Sequence, residues 1–378
     1  MKKKDKKIIF VVTEDWFFYS HRISIAKAAS NAGYQVAVIT QVKKHKEIIE
    51  SYGIKVIPFK ISRSGCNPFT EFITIISLYN IYKKEQPDLL HHVAIKPILY
   101  GTIAAKLAST PIIINAITGL GYIFISNKFS AKLIKILIYP ALKIVLNLKN
   151  TYTIFQNKND QDFLMKGNKS SGDNTIIIKG SGVDHNYFIP AKTKPVSPCI
   201  ILGARMLIDK GIREYVDAAR IVKKEFSKAR FILAGDTDSG NPAMISRNQL
   251  NKWNQEGVIE WKGHEDAMLD ILQNSNIACL PSYREGMPKF LLEAASCGLP
   301  IVATDVPGCR EIVENNVNGF LVTPKDSKSL ADGIKILIND FKLREKFGQQ
   351  SRVMIENMFS SEIINKQTIN FYKLLFSK

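Results

Sequence analysis

Glu285 and Glu293 stand eight residues apart in Glu285-Gly286-Met287-Pro288-Lys289-Phe290-Leu291-Leu292-Glu293. Proline suits the first position of a helix, and Gly286 lets the chain turn sharply just before it. The spacing therefore predicts Glu285 in a loop and Glu293 one to two turns inside a helix opened by Pro288. A helix start presents free N–H groups and the positive end of the macrodipole, worth roughly 0.3–1 kcal/mol per nearby charge. An anionic or hydroxyl-rich ligand is favoured there, and two carboxylates accept hydrogen bonds from sugar hydroxyls. A second constellation is cationic: residues 200–202 lead into Gly203-Ala204-Arg205-Met206-Leu207-Ile208-Asp209-Lys210-Gly211. Arg205 as a planar fork and Lys210 as a point charge, on a loop entering a helix, can clamp a diphosphate.

These groups need strands to carry them. Short β-branched runs at 8–12, 35–39, 56–58, 89–92, 112–116, 153–155 and 176–178 alternate with helical patterns. The rhythm is the βαβ signature of a parallel sheet covered on both faces. After a proline-rich stretch at 190–198 it restarts with 200–202, 231–234, 259–261, 277–280, 301–303 and 319–322. A chain of 378 residues exceeds one typical domain. We read an α/β protein of two Rossmann-like domains, 1–190 and 191–360, with parallel sheets facing across a cleft, and a terminal helical segment at 361–378. Ligands of such sheets bind beyond the carboxyl ends of the strands, where Arg205, Lys210 and Glu285 all fall.

With its flanks, Leu280-Pro281-Ser282-Tyr283-Arg284 before and Ala294-Ala295-Ser296-Cys297-Gly298-Leu299-Pro300 after, the Glu-x7-Glu block resembles the retaining, nucleotide-sugar-dependent glycosyltransferases of family 4. Their fold is GT-B. The resemblance covers nearly the whole chain and implies that 361–378 crosses back onto the first domain. It further implies that Arg205 and Lys210 neutralise the nucleotide diphosphate as it leaves, that Glu293 holds the ribose hydroxyls and that Glu285 holds the donor sugar. Gly286, Met287, Pro288, Lys289 and Phe290 would lie near the phosphates or sugar, and Gly235-Asp236 near the nucleotide. Asp236-Thr237-Asp238 is also a D-x-D, the metal motif of the other large glycosyltransferase fold. Its place deep in the second array, and the lack of His/Cys/Asp metal spacing elsewhere, favour a metal-independent reaction without cofactor.

In the first domain, Thr13-Glu14-Asp15-Trp16-Phe17-Phe18-Tyr19-Ser20-His21-Arg22 reads as an aromatic loop running into a helix near Ser20, suited to an acceptor. His91-His92 and Lys96, with Thr118-Gly119-Leu120-Gly121, end later strands on the same cleft. Many relatives carry a histidine where this chain has Ile117. The glycine-rich Thr118 to Gly121 is more similar to the subgroup building bacterial surface polysaccharides on polyprenyl-diphosphate lipids.

Charge is uneven: residues 1–150 hold 22 Lys/Arg against 8 Asp/Glu, and the remainder 30 against 26. An anionic surface is the expected partner. The segment from Phe129 to Lys149 places Lys128, Lys132, Lys135 and Lys143 within an arc of about 80°, with apolar residues around much of the rest. It reads as an amphipathic basic helix, kinked near Pro140, that lies in anionic lipid headgroups; the other reading is an ordinary domain helix with a solvated lysine stripe. Arginine is nearly absent from this half, so nucleic acid is not expected. The uncharged stretch 107–127 reads as a strand and a glycine loop rather than a membrane span. Five scattered cysteines, Cys66, Cys199, Cys279, Cys297 and Cys309, read as reduced thiols, and no secretory signal is visible.

The expectation is a retaining glycosyltransferase moving a hexose or N-acetylhexosamine from a UDP-sugar to a polyprenyl-diphosphate-linked saccharide, peripheral to the cytoplasmic membrane face, in capsule, O-antigen or glycan synthesis. Two alternatives are a nucleotide-sugar epimerase of related fold and a non-catalytic assembly subunit.

Overall fold

The computed structural model describes residues 5–61, 67–120, 124, 129–166, 174–265 and 267–378, with side chains described throughout these except at 129–132. The chain divides into two compact units, residues 1–181 with 362–378, and residues 182–361.

The first unit runs β1 (Lys7–Glu14), α1 (Asp15–His21), α2 (Ile23–Asn31), β2 (Gln35–Gln41), α3 (Lys46–Glu50), β3 (Lys55–Pro58), α4 (Pro68–Glu85), β4 (Leu89–Val93), α5 (Ile95–Leu107), β5 (Ile112–Ile117), α6 (Phe129–Leu146), β6 (Thr151–Phe155), α7 (Lys158–Met165) and β7 (Thr175–Ile177). Its strands form a parallel sheet in the order β3-β2-β1-β4-β5-β6-β7. Steps from β3 to β4, β4 to β5 and β5 to β6 share one direction, so right-handed crossovers put α4, α5 and α6 on one face. Side chains of β1 alternate accordingly. Ile9 and Val11 meet Leu78 and Tyr82 of α4 and Ala104 of α5, whereas Ile8 and Phe10 meet Ile25 of α2 and Ile49 of α3.

The second unit runs β8 (Cys199–Gly203), a 3₁₀ turn (Ile208–Lys210), α8 (Ile212–Lys223), β9 (Arg230–Ala234), α9 (Arg247–Gln255), β10 (Glu260–Gly263), α10 (Met268–Gln273), β11 (Ile277–Leu280), α11 (Lys289–Ser296), β12 (Ile301–Thr304), α12 (Pro307–Arg310), β13 (Gly319–Val322), α13 (Ser327–Asn339) and α14 (Phe341–Met354). Its parallel sheet is ordered β10-β9-β8-β11-β12-β13. The order reverses between β8 and β11, and in the first unit between β1 and β4. Each reversal opens a crevice at the carboxyl ends of two neighbouring strands.

The units divide at Ser181/Gly182, ahead of Pro190. The proline-rich stretch belongs to the second unit: Gln273 donates to Ile189 O at 3.0 Å, Asn276 to Pro195 O at 3.1 Å and Arg352 to Phe188 O at 2.9 Å. A π-helical segment, Ile355–Phe359, follows α14 and leads into α15 (Ser361–Ser377). Ile364, Ile369, Phe371, Tyr372 and Leu375 of α15 complete the α2 face of the first sheet. Full burial of such side chains contributes about 1.5–3 kcal/mol each.

Candidate active site

In the second unit, Lys210 and Glu285 come from the loops after β8 and β11, on either side of the reversal. Lys210 Nζ lies 2.5 Å from Glu285 Oε1, and the Ser282 hydroxyl donates to the same oxygen at 2.5 Å. The loops are held closely. Gly211 has φ +72°, and a Cβ there would meet Pro281 O at 2.0 Å, so only glycine lets the two loops touch. A Cβ on Gly308 would lie 2.7 Å from the Glu285 backbone. Behind them the Thr304 hydroxyl donates to Ser282 O. Tyr283 N donates to Asp209 O at 2.9 Å, and its hydroxyl donates to Glu214 at 2.6 Å. Burial and Glu214 both raise the Tyr283 phenol, which keeps its proton.

Helix α11 begins at Lys289, with Pro288 as its N-cap residue rather than its first turn, and no side chain caps it. The expected placement of the carboxylates otherwise holds: Glu285 lies in the loop and Glu293 in the second turn. Lys289 Nζ contacts Glu293 Oε1 at 2.6 Å. The Phe290 ring covers Gly203, where a Cβ would meet it at 2.4 Å. Gly286 and Met287 bridge Glu285 to this helix start, and Met287 packs on the apolar layer beneath α11.

Arg205 does not join the Lys210 cluster. Its Nη1 lies 2.6 Å from Asp238 Oδ2, while Asp236 accepts from Arg247 at 2.6 and 2.8 Å. Each carboxylate of the D-x-D therefore holds an arginine. Gly235 donates to Gly263 O at 2.6 Å and accepts from Trp261 Nε1 at 2.9 Å, so it is a joint between strands as well as a neighbour of Asp236. Sequence reasoning left Ser282, Asp238 and Arg247 without roles. Of the ion pairs in this region, only Lys289–Glu293 carries a local signal in the sequence, its i,i+4 spacing.

The first-unit residues come from several elements. Residues 15–21, expected as a loop, are helix α1. The buried Asp15 carboxylate anchors its start by accepting N–H bonds from Lys43, Lys44 and His45 at 2.6, 2.9 and 2.9 Å. Burial alone would raise the Asp15 carboxyl, and donors at His45, Lys43, Trp16 and Lys44 outweigh that and lower it. His21 ends α1, stacked on Phe17 and bonded to Ser20. Arg22 turns inward: its side chain is buried, which lowers it to about 10, against the opposing influence of Tyr372. His91 and His92, expected at a strand end facing an opening, are buried inside β4. His91 Nδ1 shares a 2.6 Å bond with the Tyr372 hydroxyl. His92 Nδ1 donates to Asn115 Oδ1 at 3.0 Å, and its Nε2 accepts from Tyr82 at 3.2 Å. Lys96, at the start of α5, pairs with Glu71 at 2.6 Å. Ala94, between β4 and α5, has φ +76°, a strained value for alanine at the strand-order reversal. Thr118 and Gly119 follow β5, where Ile117 is buried; Gly121 lies outside the described residues.

Helix α6 does not show a solvated lysine stripe among its described side chains. Leu133, Ile136, Leu137 and Ile144 face outward, while Leu142, Val145 and Leu146 are buried. Lys135 lies over the rings of Phe124 and Phe163, and Lys143 donates to Lys166 O at 2.8 Å. Lys128 and the Lys132 side chain lie outside the described residues. No helix of the described residues is long and apolar enough to cross a membrane. Cys199, Cys279, Cys297 and Cys309 are buried free thiols, and Cys66 lies outside the described residues.

Two family profiles divide the chain: "Glycosyl transferase 4-like" matches residues 7–157 and "Glycosyl transferases group 1" matches 189–354. A Campylobacter jejuni protein named N,N'-diacetylbacillosaminyl-diphospho-undecaprenol alpha-1,3-N-acetylgalactosaminyltransferase is 31% identical over 86% of this chain and 88% of its own length. An Escherichia coli protein named UDP-Gal:alpha-D-GlcNAc-diphosphoundecaprenol alpha-1,3-galactosyltransferase is 28% identical, covering 76% and 75%. Among solved structures, Anabaena HepE in complex with UDP and glucose superposes with a TM-score of 0.80 at 19% identity, over 97% of this chain and 99% of that one. The last likeness gives the fold, GT-B. With one profile on each unit, and 31% identity to the Campylobacter enzyme over 86% of the chain, the chain belongs to the group 1, family 4-like glycosyltransferases.

Proposed function

We propose that this chain transfers a hexose or N-acetylhexosamine from a UDP-sugar, with retention, onto a saccharide carried by polyprenyl diphosphate. The observation that carries the reading is the convergence of Lys210 and Ser282 on Glu285, 2.5 Å each, at the strand-order reversal of the second unit. Lys210 meets the departing diphosphate, and Glu285 accepts from donor-sugar hydroxyls. Arg205 exchanges the Asp238 carboxylate for a phosphate oxygen. Its ion pair is part-exposed, and such pairs are worth only about 0–1 kcal/mol, so a diphosphate displaces the carboxylate readily. Glu293 takes the ribose hydroxyls in exchange for Lys289. Catalysis is then positioning and stabilisation of leaving-group charge. The acceptor oxygen enters on the face from which the diphosphate leaves, and no side chain becomes a covalent nucleophile.

The Campylobacter and E. coli relatives are both named for diphosphoundecaprenol-linked acceptors and α-1,3 linkages. UDP-galactose is an α-anomer, so an α-product from it is retention. The arginines on both D-x-D carboxylates support a reaction without metal, and we propose that it needs no cofactor. The outward apolar face of α6, with lysines on its flank, supports peripheral contact with the anionic inner face of the cell membrane.

Labelled UDP- and GDP-sugars, supplied to membranes of the source cell with purified enzyme, test the reading. Label enters the organic-extractable lipid from one UDP-sugar, persists after chelation of divalent metals, and disappears with Glu285→Gln. Lack of transfer from every donor into membranes proven to hold acceptor lipid would refute it.

A further inference from the structure

Lys210 and Glu285 come from different loops, so the distance between them depends on what fixes one loop against the other. Tyr283 spans the two. It stands two residues before Glu285, and its N–H donates to Asp209 O at 2.9 Å, next to Lys210. Its hydroxyl donates to Glu214 Oε1 at 2.6 Å, in the first turn of α8. Any residue but proline at 283 could make the backbone bond. Only the hydroxyl adds a second point of attachment, which stops the loop from turning about the first.

Glu214 is given over to this contact. Its Oε2 is buried without a partner, so among the described residues the Tyr283 hydroxyl is the donor that the carboxylate has. An arrangement selected for stability alone would satisfy both buried oxygens. The ring is held as well. Lys325 Nζ lies 4.8 Å from the Tyr283 ring centroid, a cation on an aromatic face. Lys325 follows β13 at φ +64°, a left-handed value that persists in a lysine only where its surroundings impose it. Beside it, Asp326 caps α13 by accepting from the N–H groups of Lys328 and Ser329 at 2.9 and 3.1 Å, which fixes the turn. Tyr283 is thus gripped from two sides, by Asp209 and Glu214 after β8 and by Lys325 after β13.

We propose that Tyr283 is a positioning residue for sugar transfer: bonded to Glu214 and covered by Lys325, it fixes the loop between β11 and α11 so that Glu285 stays aligned with Lys210 as the donor binds. The inference rests on the donor-site reading of Lys210 and Glu285. The loops are already joined by the Gly211–Pro281 approach and by the bond from Thr304 to Ser282 O, so the hydroxyl refines alignment instead of holding the fold. Small misplacements of reacting groups carry large kinetic effects.

The test is turnover and UDP affinity in Tyr283→Phe, which keeps the ring and the backbone bond. kcat falls about tenfold, while the Kd for UDP by calorimetry stays within twofold and one UDP binds per chain. Glu214→Ala matches this loss, and adding it to Tyr283→Phe makes turnover no worse, because both remove one contact. Glu214→Gln, which still accepts from the phenol, restores kcat to within threefold of wild type. Lys325→Gly relieves the backbone, so its urea midpoint rises while its kcat falls. A kcat within twofold of wild type in Tyr283→Phe overturns the proposal. So do losses from Tyr283→Phe and Glu214→Ala that multiply, or a drop in the number of UDP sites that accounts for the lost turnover. The transferase reading fails separately: a wild-type chain that moves no sugar from any donor, and binds UDP-sugars no better than Glu285→Gln does, rejects the reaction, whereas equal transfer by wild type and Tyr283→Phe rejects only the positioning role.

Discussion

The strand-end loops of the second unit and the outer helix faces of the first are built in opposite ways. Around the loops after β8, β9 and β11, cations are matched to carboxylates at short range: Lys210 to Glu285, Arg205 to Asp238, Arg247 to Asp236 and Lys289 to Glu293. In the first unit the cation Arg22 is buried beside neutral His91 and Tyr372, and the outer faces of α4 and α6 are apolar. A surface of paired charges is set to exchange one anion for another with little rearrangement. A surface of exposed apolar side chains is set for a change of solvent.

The sharpest way to break this contrast is Lys210→Ala. If the pair is a site rather than a surface ion pair, transfer falls by about 10²–10³-fold in kcat, measured with labelled donor at saturation. A loss below threefold would reduce it to the ordinary value of an exposed pair.

Acid should separate the units next. Burial lowers His92 to about 4, with the Asn115 bond opposing, and His91 is also pushed down. An unfolded histidine takes up its proton near 6.5. Between these values the unfolded chain binds the extra proton, so stability is full above about pH 6.5 and falls toward pH 4, by up to ~3 kcal/mol from His92 alone. The second unit buries no histidine among its described residues. Hydrogen exchange at pH 5 therefore opens peptides of the first unit well before those of the second. Equal opening would remove the histidines as its cause.

Smaller effects sharpen the comparison at single positions. Ala94→Gly relieves the φ of +76° and raises first-unit stability by about 1 kcal/mol, read as a shift of the urea midpoint. Asp238→Asn frees Arg205 from its carboxylate and tightens UDP binding about threefold by calorimetry at low salt. Weaker binding would mean that Asp238 orients Arg205 for the phosphate instead of occupying it.

The strands were legible because buried parallel strands read as continuous apolar runs, as in Ile8-Ile9-Phe10-Val11-Val12, whereas their order in each sheet came only from the structure. The residue types at 205, 210, 285 and 293 were legible too, but their pairing was not. Arg205 and Lys210 share a loop, yet the intervening 3₁₀ turn sends one toward Asp238 and the other toward Glu285. Tertiary hydrogen bonds also overrode local pattern. Asp15 recruits N–H groups from residues 43–45, which no short window shows, and makes a helix of an expected loop. In α6 apolar residues occur nearly all round, so periodicity could not say which of them faces outward.

Helix α15 bears on the order in which the protein is made. The bond between His91 and Tyr372 spans 281 positions of sequence, and every residue of the second unit is translated between them. A ribosome therefore releases all of the second unit while the α2 face of the first still lacks Ile364, Phe371, Tyr372 and Leu375. The amino-terminal unit, though begun first, is the later of the two to be completed, and until then the part of its sheet face that α15 covers stays without its apolar partners.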